Sequence, residues 1–318
     1  MSAFTFRPAI RENVGLLIGL AGASGSGKTY TAMRLARGIA GEKPFCVIDT
    51  EAGRAKHYAD AFKFDHGDLA PPFRPGAYAD AIHAADKAGY PVIVVDSMTH
   101  EWAGEGGVLD WQAEEYERLG AREATKLLSW AKPKQGHKAM VQRLLQVRAH
   151  LILCFRAEEK VDMVKEDGKT KIVPKEGPGG FKGWLPICEK NLPYELTASF
   201  LLMAERPGVP VPMKLQEQHR ALFPDGKVID EEAGRRIAEW ARGGAAPRAQ
   251  EQPAEAPADA ASITPDQCAN LETLCQDAGI PLADFKRAAK IERIAQLRAD
   301  RYDGALDWIK NRAAKAAA

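Results

Sequence analysis

The eight residues Gly22-Ala23-Ser24-Gly25-Ser26-Gly27-Lys28-Thr29 constrain this chain more than any other stretch. They follow the spacing G-x-x-x-x-G-K-[ST]. The apolar run 15–21 (GLLIGLA) precedes them and an amphipathic stretch, 29–40 (TYTAMRLARGIA), follows. Read alone, the segment is a Gly/Ser-rich turn with a chance lysine. Read with its flanks it is strand, loop and helix, and the loop becomes a P-loop. Its glycines let successive backbone N–H groups converge on an anion. The positive end of the following helix adds to that field. Lys28 supplies a point charge to the β- and γ-phosphates, and the Thr29 hydroxyl is a magnesium ligand. Gly22, Ser24, Gly25, Ser26, Gly27, Lys28, Thr29 and Tyr30 are therefore the expected nucleotide contacts, with ATP and Mg2+ as the cofactors.

Such a loop needs a sheet around it. Further short apolar runs rich in Val, Ile and Leu occur at 45–49, 92–96, 151–155 and 199–204, with helix-like stretches between several of them. This alternation predicts an α/β fold with a mostly parallel sheet and helices on both faces. The segment around 166–169 (EDGK), between VDMV and TKIV, reads as a hairpin.

After Arg242 the composition changes. Residues 243–262 are almost all Gly, Ala, Pro, Gln and Glu, with no large apolar side chain, which predicts a flexible linker. Order resumes at Thr264-Pro265-Asp266-Gln267, a cap, a first-turn proline and a capping-box glutamine. Leu271, Leu274, Ile280, Leu282, Phe285, Ile291, Ile294, Leu297, Tyr302, Leu306, Trp308 and Ile309 can then form a small helical core. The expected domains are 1–242, an ATPase core; 243–262, a linker; and 263–318, a helical module.

A phosphate loop requires acids at strand ends. Asp96 closes the run 92–96 and should hold magnesium through water, unless it merely caps a loop. Glu51 follows the run 45–49 directly. Its carboxylate, at a sheet edge beside the P-loop strand, could orient and deprotonate water at the γ-phosphate, or it could simply begin a solvated loop.

The segments VIDTEAGRAKHYAD (47–60) and VIVVDSMT (92–99) resemble those that carry the catalytic glutamate and the second acidic motif in bacterial RecA recombinases. The order of the motifs is also theirs. The chain is most similar to phage-encoded RecA-like ATPases of the single-strand annealing and recombination group, over about residues 13–242. The resemblance implies a RecA-like core, Glu51 and Lys28 as catalytic residues, activity stimulated by single-stranded DNA, and assembly into a homo-oligomeric ring or filament. Two positions depart from it. Arg156, in LILCFRAEEK (151–160), stands near the place of a γ-phosphate-sensing glutamine. It can reach the γ-phosphate or pair with Glu158 or Glu159. Ser97, in place of a second acid after Asp96, argues against the AAA+ and packaging-motor groups.

The total formal charge is only +1, so any nucleic-acid surface must be local. Residues 118–148 hold eight Lys/Arg against the single acid Glu123. Lys126, Trp130, Lys132, Lys134, Lys138 and Arg143 are the candidate DNA contacts, through counterion release and base stacking on the indole. The alternative is a solvated helix face with Trp130 in the core. By the same resemblance, the Gly- and Lys-rich loop 156–190 stands where the family has its second DNA loop; Lys182 and Lys190 could instead reach a neighbour's nucleotide across a subunit interface. Phe6-Arg-Pro-Ala9 fits an F-x-x-A subunit-docking pattern or local packing. The C-terminal module is nearly neutral and is a candidate dock for a recombination or single-strand-binding protein. No apolar run spans a bilayer and no secretory signal is visible, so the expected location is the cytoplasm, which the resemblance to phage-encoded proteins makes a bacterial host's. Cys46 and Cys154 fall inside apolar runs as buried free thiols. The competing functions are an accessory ATPase acting on a protein partner in replication or packaging, as a helicase loader does, and a small-molecule P-loop kinase.

Overall fold

The computed structural model describes residues 9, 11, 14–166, 169–176, 182–243 and 262–316. Most of the 243–262 linker, residues 177–181 of the glycine-rich loop and residues 6–8 of the docking pattern lie outside the described residues. The chain divides into two compact units, Met1–Ala245 and Ala246–Ala318.

The first unit is built on β1 (Leu17–Gly22), β2 (Cys46–Asp49), β3 (Asp65–Asp68), β4 (Val92–Asp96), β5 (His150–Glu159), β6 (Val161–Glu166), β7 (Lys169–Pro174), β8 (Trp184–Pro186), β9 (Ala198–Leu202) and β10 (Pro210–Leu215). Its helices are α1 (Lys28–Ala40), α2 (Pro75–Lys87), α3 (Thr99–Ala103), α4 (Val108–Arg118), α5 (Ala131–Leu144), α6 (Leu192–Glu195) and α7 (Glu231–Arg242). The main sheet runs β10-β9-β1-β5-β4-β2-β3, with β8 paired to β5. All pairings from β9 to β3 are parallel, while β10 and β8 run antiparallel to their neighbours.

Period-two alternation sends strand residues to two cores. Ile18, Leu20, Val47, Val94 and Ile152 pack on the face covered by α1 and α7. Ala21, Ile48, Val95, Leu151 and Leu153 pack on the face covered by α2 and α5. All five apolar runs form strands. The polar edge strand β3, with sequence DHGD and mostly exposed, carries no hydrophobic signal and was not expected. It forms because β2 offers it a full parallel register from Cys46↔Asp65 to Asp49↔Asp68. β6 and β7 pair as the predicted hairpin, a separate two-stranded sheet.

α1 and α7 meet through glycine. A Cβ on Gly234 would lie 2.7 Å from the Gly38 Cα, and one on Gly38 would strike the Glu231 carbonyl. Arg34 clamps the same crossing through a 2.6 Å ion pair to Glu231.

The second unit contains α8 (Pro265–Asp277), α9 (Leu282–Ala289) and α10 (Tyr302–Ala316). The capping box forms as its sequence dictates, with the Gln267 N–H donating to Thr264 Oγ1 and the Thr264 N–H to Gln267 Oε1. Leu271, Cys275, Phe285, Leu297 and Ile309 form its core, whereas Leu282 is 37% exposed and does not join it.

Candidate functional site

The carboxyl ends of β1, β2, β4 and β5 meet at a cavity of about 850 Å³. Open α/β sheets place ligands at such strand ends. Ser24, Gly25, Gly27, Lys28, Thr29, Asp49, Glu51, Arg54, Tyr58, Asp96 and Arg156 are among its lining residues.

The phosphate loop owes its path to its glycines. Gly25 and Gly27 take φ angles of 79° and 81°, in the left-handed region that side chains avoid. A Cβ on Gly22 would lie 2.5 Å from the Leu202 carbonyl oxygen, so β1 can sit against β9 there only without a side chain. Ser26 is fully buried and donates its hydroxyl to the Ala23 carbonyl at 2.8 Å, bracing the loop from inside. Lys28 Nζ donates to the same carbonyl at 2.9 Å. Burial lowers the Lys28 pKa by more than the neighbouring Asp96 and Glu51 carboxylates raise it. Tyr30 turns away from the cavity's lining and packs on Tyr58 and Phe62, with ring centroids 6.0 and 5.4 Å away.

Thr29 Oγ1 donates to Asp96 Oδ2 at 2.5 Å. Burial is the main reason the Asp96 pKa rises, to about 6; the Thr29 hydrogen bond opposes this and the Glu51 charge reinforces it. A buried carboxylate in this state is suited to a cation beside it.

Glu51 reaches the cavity by a different route from the one expected. Its strand, β2, is not beside the P-loop strand: β5 and β4 stand between β1 and β2. β4 and β2 pair directly, in register at Asp49↔Asp96, so Asp96 and Glu51 arrive from adjacent strand ends. Asp49, 2% exposed, organises the turn. Its Oδ1 accepts from the Glu51 N–H at 2.6 Å and its Oδ2 from the Ala55 N–H at 2.9 Å. Thr50 ties this turn to the next strand, donating its hydroxyl to the Ser97 carbonyl and accepting the Ser97 N–H.

Arg156 is salt-bridged to Glu51, not to either of the acids that follow it in sequence. Nη2 and Nε lie 2.7 and 3.1 Å from Glu51 Oε1. Glu158 pairs instead with Lys160 at 3.0 Å. Arg54 Nη1 donates to Glu51 Oε2 at 3.0 Å. Burial alone would raise the Glu51 pKa; the Arg156 hydrogen bond and the charges of Arg156 and Arg54 outweigh it and hold the carboxyl below its ordinary value. Asp49, Thr50 and Arg54 were missed in the sequence because hydrogen bonds to a turn leave no spacing signature.

The basic segment does not line this cavity. Much of its charge is already matched. Lys132 and Arg118 pair with Glu115, Lys126 with Glu123 and Arg143 with Asp80. Lys134 lies over the Trp130 ring at 5.6 Å, and Trp130 stacks on Trp102 at 6.1 Å. Lys138 has no ion pair among the described residues and is exposed. Trp130 is half-buried, between the two readings of it as core and as stacking platform.

Five cysteines are free, with Cys46, Cys154 and Cys275 buried. Among the described residues no helix is long and apolar enough to cross a membrane.

Comparison with curated proteins gives no significant match. A family model described as an AAA domain matches residues 15–185, which is 171 of the 318 residues. That match stands against the part of the Ser97 argument that set the AAA group aside, and does not bear on packaging motors. A second acid directly after Asp96 is not needed where the neighbouring strand β2 delivers Glu51 to the same cavity. The span contains the P-loop, both acids and Arg156, and with more than half the chain matched, this protein belongs to the AAA domain family of P-loop NTPases.

Proposed function

We propose that this AAA-domain protein is a RecA-like ATPase that acts on single-stranded DNA in homologous recombination or strand annealing of the phage type. The observation that carries the catalytic part is the convergence of Lys28, Thr29, Asp96, Glu51 and Arg156 on one cavity from four separate strand ends. The DNA part rests on the RecA-like motifs and on the basic segment at 118–148.

In this reading the P-loop N–H groups and Lys28 bind the β- and γ-phosphates. The Thr29 hydroxyl and the Asp96 carboxylate, 2.5 Å apart, are a fitting pair of oxygens for Mg2+, which keeps most of its remaining ligands as water and phosphate. Magnesium bound there would neutralise charge on the phosphates. Glu51 orients the attacking water and takes its proton, and Arg156 meets the charge of the γ-phosphate. Lys126, Trp130, Lys132, Lys134, Lys138 and Arg143 contact the DNA backbone and bases. Subunits assemble as a ring or filament, and the C-terminal unit docks a recombination or single-strand-binding protein. Annealing and partner binding that survive deletion of 243–318 unchanged would refute that last role.

A second reading is an ATPase that works on a protein partner. It is favoured by the hairpin, whose Val161, Met163 and Ile172 are 53%, 79% and 69% exposed and share one face. The deciding measurement is ATP hydrolysis with and without single-stranded DNA at two salt concentrations, beside Glu51→Gln. Stimulation that weakens with salt and vanishes in the variant supports the DNA reading. Hydrolysis indifferent to DNA moves the assignment to the protein-partnered ATPase.

A further inference from the structure

The geometry points to a second role for Arg156: it is a positioning residue that restrains Glu51 until a γ-phosphate draws its guanidinium away. This rests on the reading of Glu51 as the group that activates water. With the cavity as it stands, both Glu51 oxygens are occupied by guanidinium donors, Oε1 by Arg156 and Oε2 by Arg54. Three guanidinium N–H groups thus take up most of the carboxylate's acceptor capacity, and a carboxylate engaged in this way is a poor proton acceptor.

The two clamps differ in strength and in reach. Arg54 is 72% exposed and only three residues from Glu51, the kind of surface pair that contributes little. Arg156 makes two hydrogen bonds to one oxygen from a firmly anchored backbone. Its N–H donates to Thr99 Oγ1 at 2.9 Å and its carbonyl accepts the Ile187 N–H at 2.8 Å. Its Cα stands opposite Gly22, the first residue of the phosphate loop, in the β1–β5 register. The side chain is 48% exposed, and among the described residues its only hydrogen-bond partner is Glu51. The base of Arg156 is thus fixed beside the P-loop while its fork is free to turn.

A γ-phosphate carries more charge than one carboxylate and presents oxygens matched to a guanidinium fork. ATP therefore competes with Glu51 for Arg156, and ADP does not. Arrival of the triphosphate frees the base at the moment its substrate is present. Loss of the γ-phosphate lets the ion pair close again.

A double-substitution cycle read by binding tests this without relying on turnover. The full chain, Glu51→Gln, Arg156→Gln and the double variant are titrated with ADP and with a non-hydrolysable ATP analogue. Releasing Arg156 from Glu51 should raise the preference of Glu51→Gln for the analogue over ADP by roughly fivefold, the scale of a partly exposed ion pair. That gain should be absent when Arg156 is already glutamine. Simple repulsion between Glu51 and the γ-phosphate predicts the opposite pattern: an equal or larger gain in the Arg156→Gln background, because no cation then screens the two anions. That pattern, or no gain at all, overturns the proposal. Unchanged ADP affinity reports that each variant folds, and Arg156→Lys, which keeps the charge but not the fork, replaces a glutamine variant that does not. Absence of ADP binding in the unaltered chain would instead overturn the phosphate-site reading, and the restraint with it.

Discussion

Thr29 Oγ1 and Asp96 Oδ2 share a 2.5 Å hydrogen bond across 67 residues of sequence, joining the first turn of α1 to the end of β4. The bond exists because β5 spaces β1 from β4 by one strand, bringing the helix that follows one over the end of the other. If the two oxygens act as one cation site, Thr29→Ala and Asp96→Asn should each lower magnesium-dependent hydrolysis on the order of 100-fold. The double variant should lose little more than either alone. Phosphate release across a magnesium titration checks this; multiplicative losses would mean that the two side chains act separately.

The α1–α7 crossing should be intolerant of side chains. Gly234→Val places atoms where the Gly38 backbone already sits and is expected to cost about 2–3 kcal/mol in urea unfolding. Gly76, in α2, has nothing within 4 Å of the place a Cβ would take, so Gly76→Ala is the matched control. It should be neutral or stabilising by less than about 1 kcal/mol, because alanine favours helix over the unfolded chain.

Acid should weaken the first unit through His150. This residue is buried at the start of β5, and its Nδ1 accepts the Leu16 N–H at 3.1 Å, so the neutral ring carries its proton on Nε2. Burial lowers its pKa from 6.5 to about 4. The folded state thus takes up this proton less readily than the unfolded chain. The associated stability is complete above pH 6.5 and is lost as pH falls from there toward about 4, by up to about 3 kcal/mol. Urea midpoints between pH 7.5 and 4.5 should fall more steeply for the native chain than for His150→Gln, which offers an acceptor but never a charge. Parallel slopes would assign the acid sensitivity elsewhere.

The ion pairs divide the basic segment into matched and unmatched charges. If single-stranded DNA binds there, Lys134→Ala with Lys138→Ala should lower the slope of log affinity against log salt by about 1.4, or about 0.7 for each lost phosphate contact. Arg143→Ala should change it much less, since Arg143 lies 2.7 Å from Asp80. Fluorescence anisotropy with a labelled oligonucleotide separates the two. Equal effects would show that proximity in sequence, rather than free charge, was the only thing these residues shared.

The sequence by itself determined the local geometry of this protein. The Gly25 and Gly27 conformations, the strand before them and the helix after them follow from steric freedom and hydrophobic period within about twenty residues. The capping box of Thr264 and Gln267 and the β6–β7 hairpin are local in the same sense. What only the tertiary structure decided is which of these pieces are neighbours. The polar β3 was invisible because its stability comes from the edge of β2 and not from its own side chains. The insertion of β5 between β1 and β4, and the pairing of β4 with β2 that brings Asp96 and Glu51 to adjacent strand ends, depend on how both faces of the sheet are covered. The Arg156–Glu51 pair, 105 residues apart, depends on that strand order in turn. Side-chain spacing reports the shape of a segment, whereas the partner of a charged group at a strand end is chosen by the packing of the whole sheet.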